Sequence, residues 1–287
     1  MLKVIGIGDN VCDKYKHIGK MFPGGQALNF AVYCKQHGNL AAYMGVFGND
    51  EVANHIIKIL NKLKIDISHS RHYQGENGYA VIDLKDGDRV FITSNKGGML
   101  RSYPIRFSEE DLEYVSEFDI IHTSNNSYID NELSKLAKLK NKLSYDFSTA
   151  WKDEKRTKKI CGYIDFGFLS CSDIDINEIK EFAKKMNAWG CGLIVATMGS
   201  RGAIAFDGET YFTIKPKLVK AIDTLGAGDS FAAGFLMSYM EKIEKSTVNK
   251  KDSEYPVLFK FALESGAKLS AQTCLKMGAF GYECDIE

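Results

Sequence analysis

The residues best suited to chemistry lie late in the chain, at Ala221-Ile222-Asp223-Thr224-Leu225-Gly226-Ala227-Gly228-Asp229-Ser230-Phe231. Gly226, Ala227 and Gly228 are small residues at the start of an apolar-periodic run that ends near Met240, so bare backbone N–H groups gather at a helix N-terminus. Such a terminus offers unpaired donors and the positive end of the helix dipole, both suited to charge on a phosphoryl group in transfer. Asp229 would then accept the proton of an attacking hydroxyl as general base. The alternative is a tight turn followed by a carboxylate-capped helix, and this segment alone leaves both readings open.

Three further clusters are candidates. Gly24-Gly25 leads into a helix bearing Asn29, so a ligand can approach the backbone closely while the amide hydrogen-bonds hydroxyls. Asp9 and Asp13 follow the first strand, at the strand end where open α/β sheets bind ligands; turn chemistry is the competing reading. Thr197, Gly199 and Gly202 follow another buried strand and could set a hydroxyl and bare backbone against a nucleotide, or simply form a turn. Asn125, Asn126 and Arg89 are additional substrate candidates that fit a solvated surface equally well. Neither a G-x-x-x-x-G-K-[ST] loop nor a usefully placed G-x-G-x-x-G is found, which counts against P-loop and dinucleotide-binding readings.

Elements must exist to carry these groups. Strand-like runs at 2–7, 41–47, 120–123, 143–147, 164–169 and 193–197 alternate with helix-period segments at 26–36, 50–63, 128–139, 153–159 and 176–188. That rhythm predicts βαβ units and a mostly parallel sheet. It breaks at 79–93, where two strand-like runs flank Lys85-Asp86-Gly87-Asp88 and predict a hairpin. A second hairpin is expected at 203–214, helices at 227–240 and 257–276, and an exposed loop at 241–254. Ser108-Glu109-Glu110-Asp111 reads as a variant capping box.

Size and composition set the frame. A chain of 287 residues with 45% hydrophobic content and four prolines suits one large α/β core. Lysine plus arginine and aspartate plus glutamate number 37 each and are mixed along the chain, which argues against nucleic acid as a partner and for a small molecule. No apolar run reaches the ~18–20 residues of a membrane span. Seven scattered cysteines without metal spacing, and a start without a leader pattern, lead to the expectation of a cytoplasmic protein with reduced thiols. The six histidines show no metal spacing.

With Gly24-Gly25 and Asn29 early and Asp223–Asp229 late, the chain resembles the PfkB, or ribokinase-like, carbohydrate kinases over essentially its full length. The resemblance implies a single three-layer α/β domain with a mostly parallel central sheet and a small β lid, formed mainly by residues about 71–100 with a contribution from 10–23. It implies Asp229 as base, Gly226–Gly228 as anion hole, Asp13, Gly24, Gly25 and Asn29 as sugar contacts, and Thr197, Gly199 and Gly202 as nucleotide contacts for Mg-ATP. It also implies a homodimer through the lid, whose exposed hairpin edge is ready to pair. Asp223 resembles a residue that helps form a monovalent-cation (K+) site in several members, although Leu225 replaces the second Thr of the usual motif. Where the family carries an N-x-x-E motif that organises magnesium-bound water, this chain has Ser170-Cys171-Ser172-Asp173, leaving Asp173 or Asp146 for that task.

Within the family, Gly8-Asp9-Asn10 with Asp13, Ala31–Cys34, Asp66–His69, Asp88–Phe91 and Asp146–Ser148 with Trp151 resemble the fructosamine kinase branch. That branch implies phosphorylation of the 6-hydroxyl of fructoselysine, whose amine would favour a carboxylate pair at Asp9 and Asp13. A kinase for another ketose or a nucleoside, and a sugar-binding sensor without catalysis, are the alternatives.

Overall fold

In the computed structural model, whose described residues are 1–85, 88–246 and 248–286 with the side chains of 84, 85 and 88–91 left aside, strands and helices alternate as the periodicity requires. Their order is β1 (Lys3–Gly8), β2 (Val11–Tyr15), β3 (Lys20–Gly24), α1 (Gln26–Gln36), β4 (Leu40–Phe47), α2 (Glu51–Lys62), β5 (Arg71–His72), β6 (Gly78–Lys85), β7 (Asp88–Ser94), α3 (Met99–Ser102), α4 (Glu109–Ser116) and β8 (Ile120–Ser124). They continue as α5 (Leu133–Leu136), β9 (Lys142–Ser148), α6 (Glu154–Cys161), β10 (Phe166–Ser170), α7 (Ile176–Ala188), β11 (Leu193–Thr197), β12 (Ala203–Phe206), β13 (Tyr211–Ile214), α8 (Ala227–Tyr239), α9 (Tyr255–Thr273) and β14 (Cys284–Asp285).

Nine strands form the main sheet in the order β13-β12-β11-β10-β9-β8-β1-β4-β5. It is parallel from β5 to β11 and ends in the antiparallel pair β12–β13. Strand alternation divides its side chains between two cores: in β4, Ala41, Tyr43 and Phe47 face one and Ala42, Met44 and Val46 the other. Residues of α1, α2, α8 and α9 join the first core and residues of α5, α6 and α7 the second, which gives the three layers. Strand order reverses at β1, between β8 and β4, and the crevice at such a reversal is where open α/β sheets take ligands.

A second sheet has the order β14-β3-β2-β6-β7. It uses residues 11–15 and 20–24 as well as the hairpin, whose tip at 86–87 lies outside the described residues, and it recruits the C-terminal strand β14. Residues 71–72 instead pair with β4 of the main sheet, and 99–102 form α3. The root of this sheet is fixed by amides. Asn10 Nδ2 donates to Tyr43 Oη (2.8 Å), Asn77 Nδ2 donates to Asn10 Oδ1 (2.8 Å), and Asn77 Oδ1 accepts from the Gly48 N–H (3.1 Å).

Helix starts follow their caps. Asp50 accepts from Ala53 N, and the capping box at Ser108 is present, Ser108 Oγ accepting from Asp111 N while Asp111 accepts from Ser108 N. Two expectations require correction. The segment 128–139 is not one helix: Tyr128 takes a positive φ of 56°, and only a 3-10 turn at Asp130–Glu132 and the short α5 follow. The stretch from 241 is not an exposed loop throughout, because a π-helical turn at Met240–Glu244 extends α8 and buries Ile243.

Candidate functional site

Asp229 stands in the first turn of α8 and is buried. Its Oδ2 accepts from Asn29 Nδ2 at 2.6 Å, a bond between residues 200 positions apart that joins the early and late glycine motifs. Burial, then the charge of Asp146 and those of Asp9 and Asp13, push the Asp229 carboxyl up to about 8, while the Asn29 bond pulls it down. Burial and the charge of Asp9 likewise raise Asp146, while hydrogen bonds from Ser148 and Gln26 pull it down.

Asn29 Oδ1 is buried without a protein partner, as is Asn125 Oδ1 at the end of β8, and each is an acceptor available to a ligand hydroxyl. Asp13, on β2, lies against the same spot. A Cβ at Gly24 would sit 2.8 Å from Asp13 Oδ2 and 4.0 Å from Asn29 Oδ1, so only glycine leaves that carboxylate in place. Asp13, Gly24, Asn29 and Asp229 are therefore brought together, with Gly25 as the N-cap of α1.

Asp9 does a different job from the one expected. Its Oδ2 accepts from Gln26 N (2.6 Å), and its Oδ1 accepts from Ala27 N (3.2 Å), Ser124 Oγ (2.7 Å) and Ser127 Oγ (3.1 Å). With its oxygens taken by four scaffold donors, Asp9 caps α1 in place of the missing side chain of Gly25 and ties it to the β8 loop. The amine contact assigned to it is not supported by this geometry. The side chain of Arg89 lies outside the described residues.

Gly226 is the N-cap of α8 in the left-handed conformation, φ 73°, and a Cβ there would lie 2.5 Å from Tyr33 Oη. Of the three expected anion-hole residues, Ala227 spends its N–H on the Thr224 carbonyl at 3.3 Å. Gly228 opens into space, with nothing within 4 Å of a Cβ placed there. It borders a cleft of about 450 Å³ that also collects Thr197, Gly199 and Gly202, a volume in the range of small-molecule sites. Sequence reasoning missed the rest of this wall, including Pro216, Leu218, Ala267 and Ala271. These are ordinary apolar residues with no spacing that distinguishes them from core. It also missed Ser124 and Ser127, although the polar run Ser124-Asn125-Asn126-Ser127 directly after a strand was a usable signal.

The metal expectations fare unevenly. Ser170 and Ser172 line the cleft, whereas Asp173 is exposed on the same turn and Asp146 belongs to the buried acidic group. Among the described residues no group of three His, Cys, Asp or Glu gathers as a metal cage. Asp223 is buried and accepts from Tyr15 Oη, Leu225 N and Gly278 N, a donor set that does not fit a cation there. No helix among the described residues is long and apolar enough to cross a membrane.

Comparison with known proteins gives the same picture of the chain as a whole. The model of the pfkB family carbohydrate kinases matches residues 4–279. A fructosamine kinase, FrlD, of Bacillus subtilis (strain 168) is 38% identical over 282 residues, covering 98% of this chain and 94% of the relative. Fructoselysine 6-kinase of Escherichia coli (strain K12) is 33% identical over 233 residues, 81% of this chain and 87% of the relative. The structure of Arabidopsis thaliana ribokinase complexed with ribose and ATP superposes with a TM-score of 0.79 at 19% identity, covering 99% of this chain and 96% of that one. A family match that spans nearly the whole chain, with two relatives more than 30% identical, identifies it as a member of the pfkB family of carbohydrate kinases.

Proposed function

We propose that this carbohydrate kinase transfers the terminal phosphoryl group of ATP to the 6-hydroxyl of fructoselysine or a closely related fructosamine. The observation that carries the reading is the 2.6 Å bond from Asn29 to Asp229, because it makes the sugar end and the phosphoryl end one site. Asp13 and the free Oδ1 atoms of Asn29 and Asn125 accept from sugar hydroxyls. Asp229 takes the proton of the 6-hydroxyl as that oxygen attacks the γ-phosphorus, and ADP leaves on the opposite side. Gly228, at the first turn of α8, faces the phosphates, with the helix N-terminus stabilising their charge. Thr197, Gly199 and Gly202 border the nucleotide in the cleft.

Magnesium fits as a cation that arrives on the nucleotide, because it keeps most of its ligands as phosphate oxygens and water and needs only one or two carboxylates. Asp146, whose charge acts on Asp229, is the residue that would face it, and the ion would neutralise charge on the phosphates. A cation in this crevice also favours the ionised form of both carboxyls.

A fructosamine suits the site because its groups are acceptors or anions, which reward hydroxyls and an ammonium together. The negative field of Asp13 and Asp146 supports the amine in the part first assigned to Asp9. Coupled ATP turnover with fructoselysine, fructose, ribose and adenosine tests this: kcat/KM for fructoselysine is expected to exceed the others by about tenfold or more, the worth of one charge-assisted hydrogen bond. Equal values for fructose would withdraw the amine from the substrate, and 13C NMR of the product at C6 decides the position.

The smaller sheet is proposed as the lid over the sugar and as the dimer surface. Among the described residues strand β7 is the edge of the smaller sheet and its Ile92 is exposed, so pairing with a second copy would cover it. Light scattering at micromolar concentration is expected to give a dimer for the wild type and a monomer for Ile92→Lys. A monomeric wild type removes this assignment.

A further inference from the structure

Asp223 opens the loop that runs into α8, and its carboxylate is held by three distant parts of the chain. Tyr15 Oη donates to Oδ2 at 2.5 Å, Gly278 N donates to the same oxygen at 3.0 Å, and Leu225 N donates to Oδ1 at 3.0 Å. Tyr15 is buried on β2 of the smaller sheet, with its ring edge-on to Phe22 of β3 and the centroids 5.1 Å apart. Those two rings and Ile82 of β6 form a small core of their own, and Leu225 of the loop and Met277 pack on it. One carboxylate thus fastens the smaller sheet, the loop before Gly226 and the C-terminal segment to one another.

N–H and O–H donors turn their positive hydrogens toward a carboxylate and offset the cost of burying it. A cation at the same oxygens would lie against the positive ends of those donors and be repelled by them. We propose that Tyr15 is a positioning residue which, with the Gly278 N–H, does at Asp223 what a monovalent cation would otherwise do, and so couples the smaller sheet to the loop of the anion site. The proposal rests on the reading of Gly226–Asp229 as the phosphoryl-binding turn. Tyr15 touches neither sugar nor phosphate on this account and acts through the loop.

Two measurements on the full chain test it. Wild-type turnover, and hydrogen exchange of the amides 224–230, are expected to be the same within twofold in K+ and in tetramethylammonium at equal ionic strength. Tyr15→Phe keeps the ring against Phe22 and deletes only the donor. It is expected to lower kcat by about tenfold, in line with one charge-assisted bond, with sugar KM within about threefold, faster exchange of 224–230, and partial recovery in K+ that the wild type does not show. A wild type that loses turnover or loop protection without K+ overturns the proposal, as does a Tyr15→Phe loop that exchanges like the wild type's. The wild-type arm decides even where the variant does not fold. Loop exchange needs no turnover, so loss of the fructosamine reading and loss of the Tyr15 role give different results.

Discussion

Asp229→Asn is expected to lower turnover by a factor of about 10²–10⁴, the range for loss of a positioned general base, with sugar and ATP binding changed only a few fold. Asn29 can still donate to the amide oxygen, so the crevice keeps its shape while losing its proton acceptor. Turnover within tenfold of wild type would remove Asp229 from the role of base, and the same variant separates an enzyme from a sensor that only binds. The substitution should also stabilise the protein. In the fold the carboxyl is held well above its unfolded value by burial and by Asp146. A group raised in this way contributes its full stability below the unfolded pKa of about 4 and loses it as pH rises through the folded value. Asparagine cannot ionise, so the variant gains on the wild type as pH increases from 4 toward about 8. A gain of about 1–2 kcal/mol is of the size usual when a strained active-site group is relieved, and each kcal/mol moves Tm by about 2–4 °C in a chain approaching this length. Thermal melts at pH 5 and pH 8.5 check it, with the larger difference at pH 8.5.

Asn29→Leu is expected to lower kcat/KM by about 10–100-fold, because it removes a donor to a carboxylate and an acceptor for a sugar hydroxyl at once. The sign of its pH effect is fixed. Asn29 favours the ionised form of Asp229, so its loss raises that carboxyl further and moves the acid limb of the rate profile to higher pH. Part of the lost rate should therefore return at alkaline pH. A uniform loss across pH would leave Asn29 as a sugar contact only. Leucine has a similar volume and suits a buried position, so the comparison is made on folded protein and is checked by the melting midpoint.

Much of the scaffold was legible because its signals are local. Gln26–Gln36 has an apolar face and a glycine on either side, and the helix occupies those residues. Ala203–Phe206 and Ile176–Ala188 likewise follow their periodicity. Strands β2, β3 and β14 were harder to read because they are short and interrupted by charge or proline, and their pairing draws on both chain ends. The π-helical turn at Met240–Glu244 has no marker residue and follows from where Ile243 can be buried.

What the sequence determined by itself was a list of candidates for the proposed site, Asp13, Gly24-Gly25, Asn29 and Asp223–Asp229, because glycine geometry and carboxylate chemistry belong to residue type. Which carboxylate does what was decided by the tertiary structure. Asp9, Asp173, Asp223 and Asp229 are alike as residues. Asp9 is engaged by four scaffold donors and Asp173 is left at the surface. Asp223 is held by Tyr15, Leu225 and Gly278, and Asp229 is buried beside Asn29 and within the field of Asp146. Burial and the donors within reach set the proton affinity and availability of a carboxylate, and both depend on neighbours that the chain supplies from as far as 208 residues away.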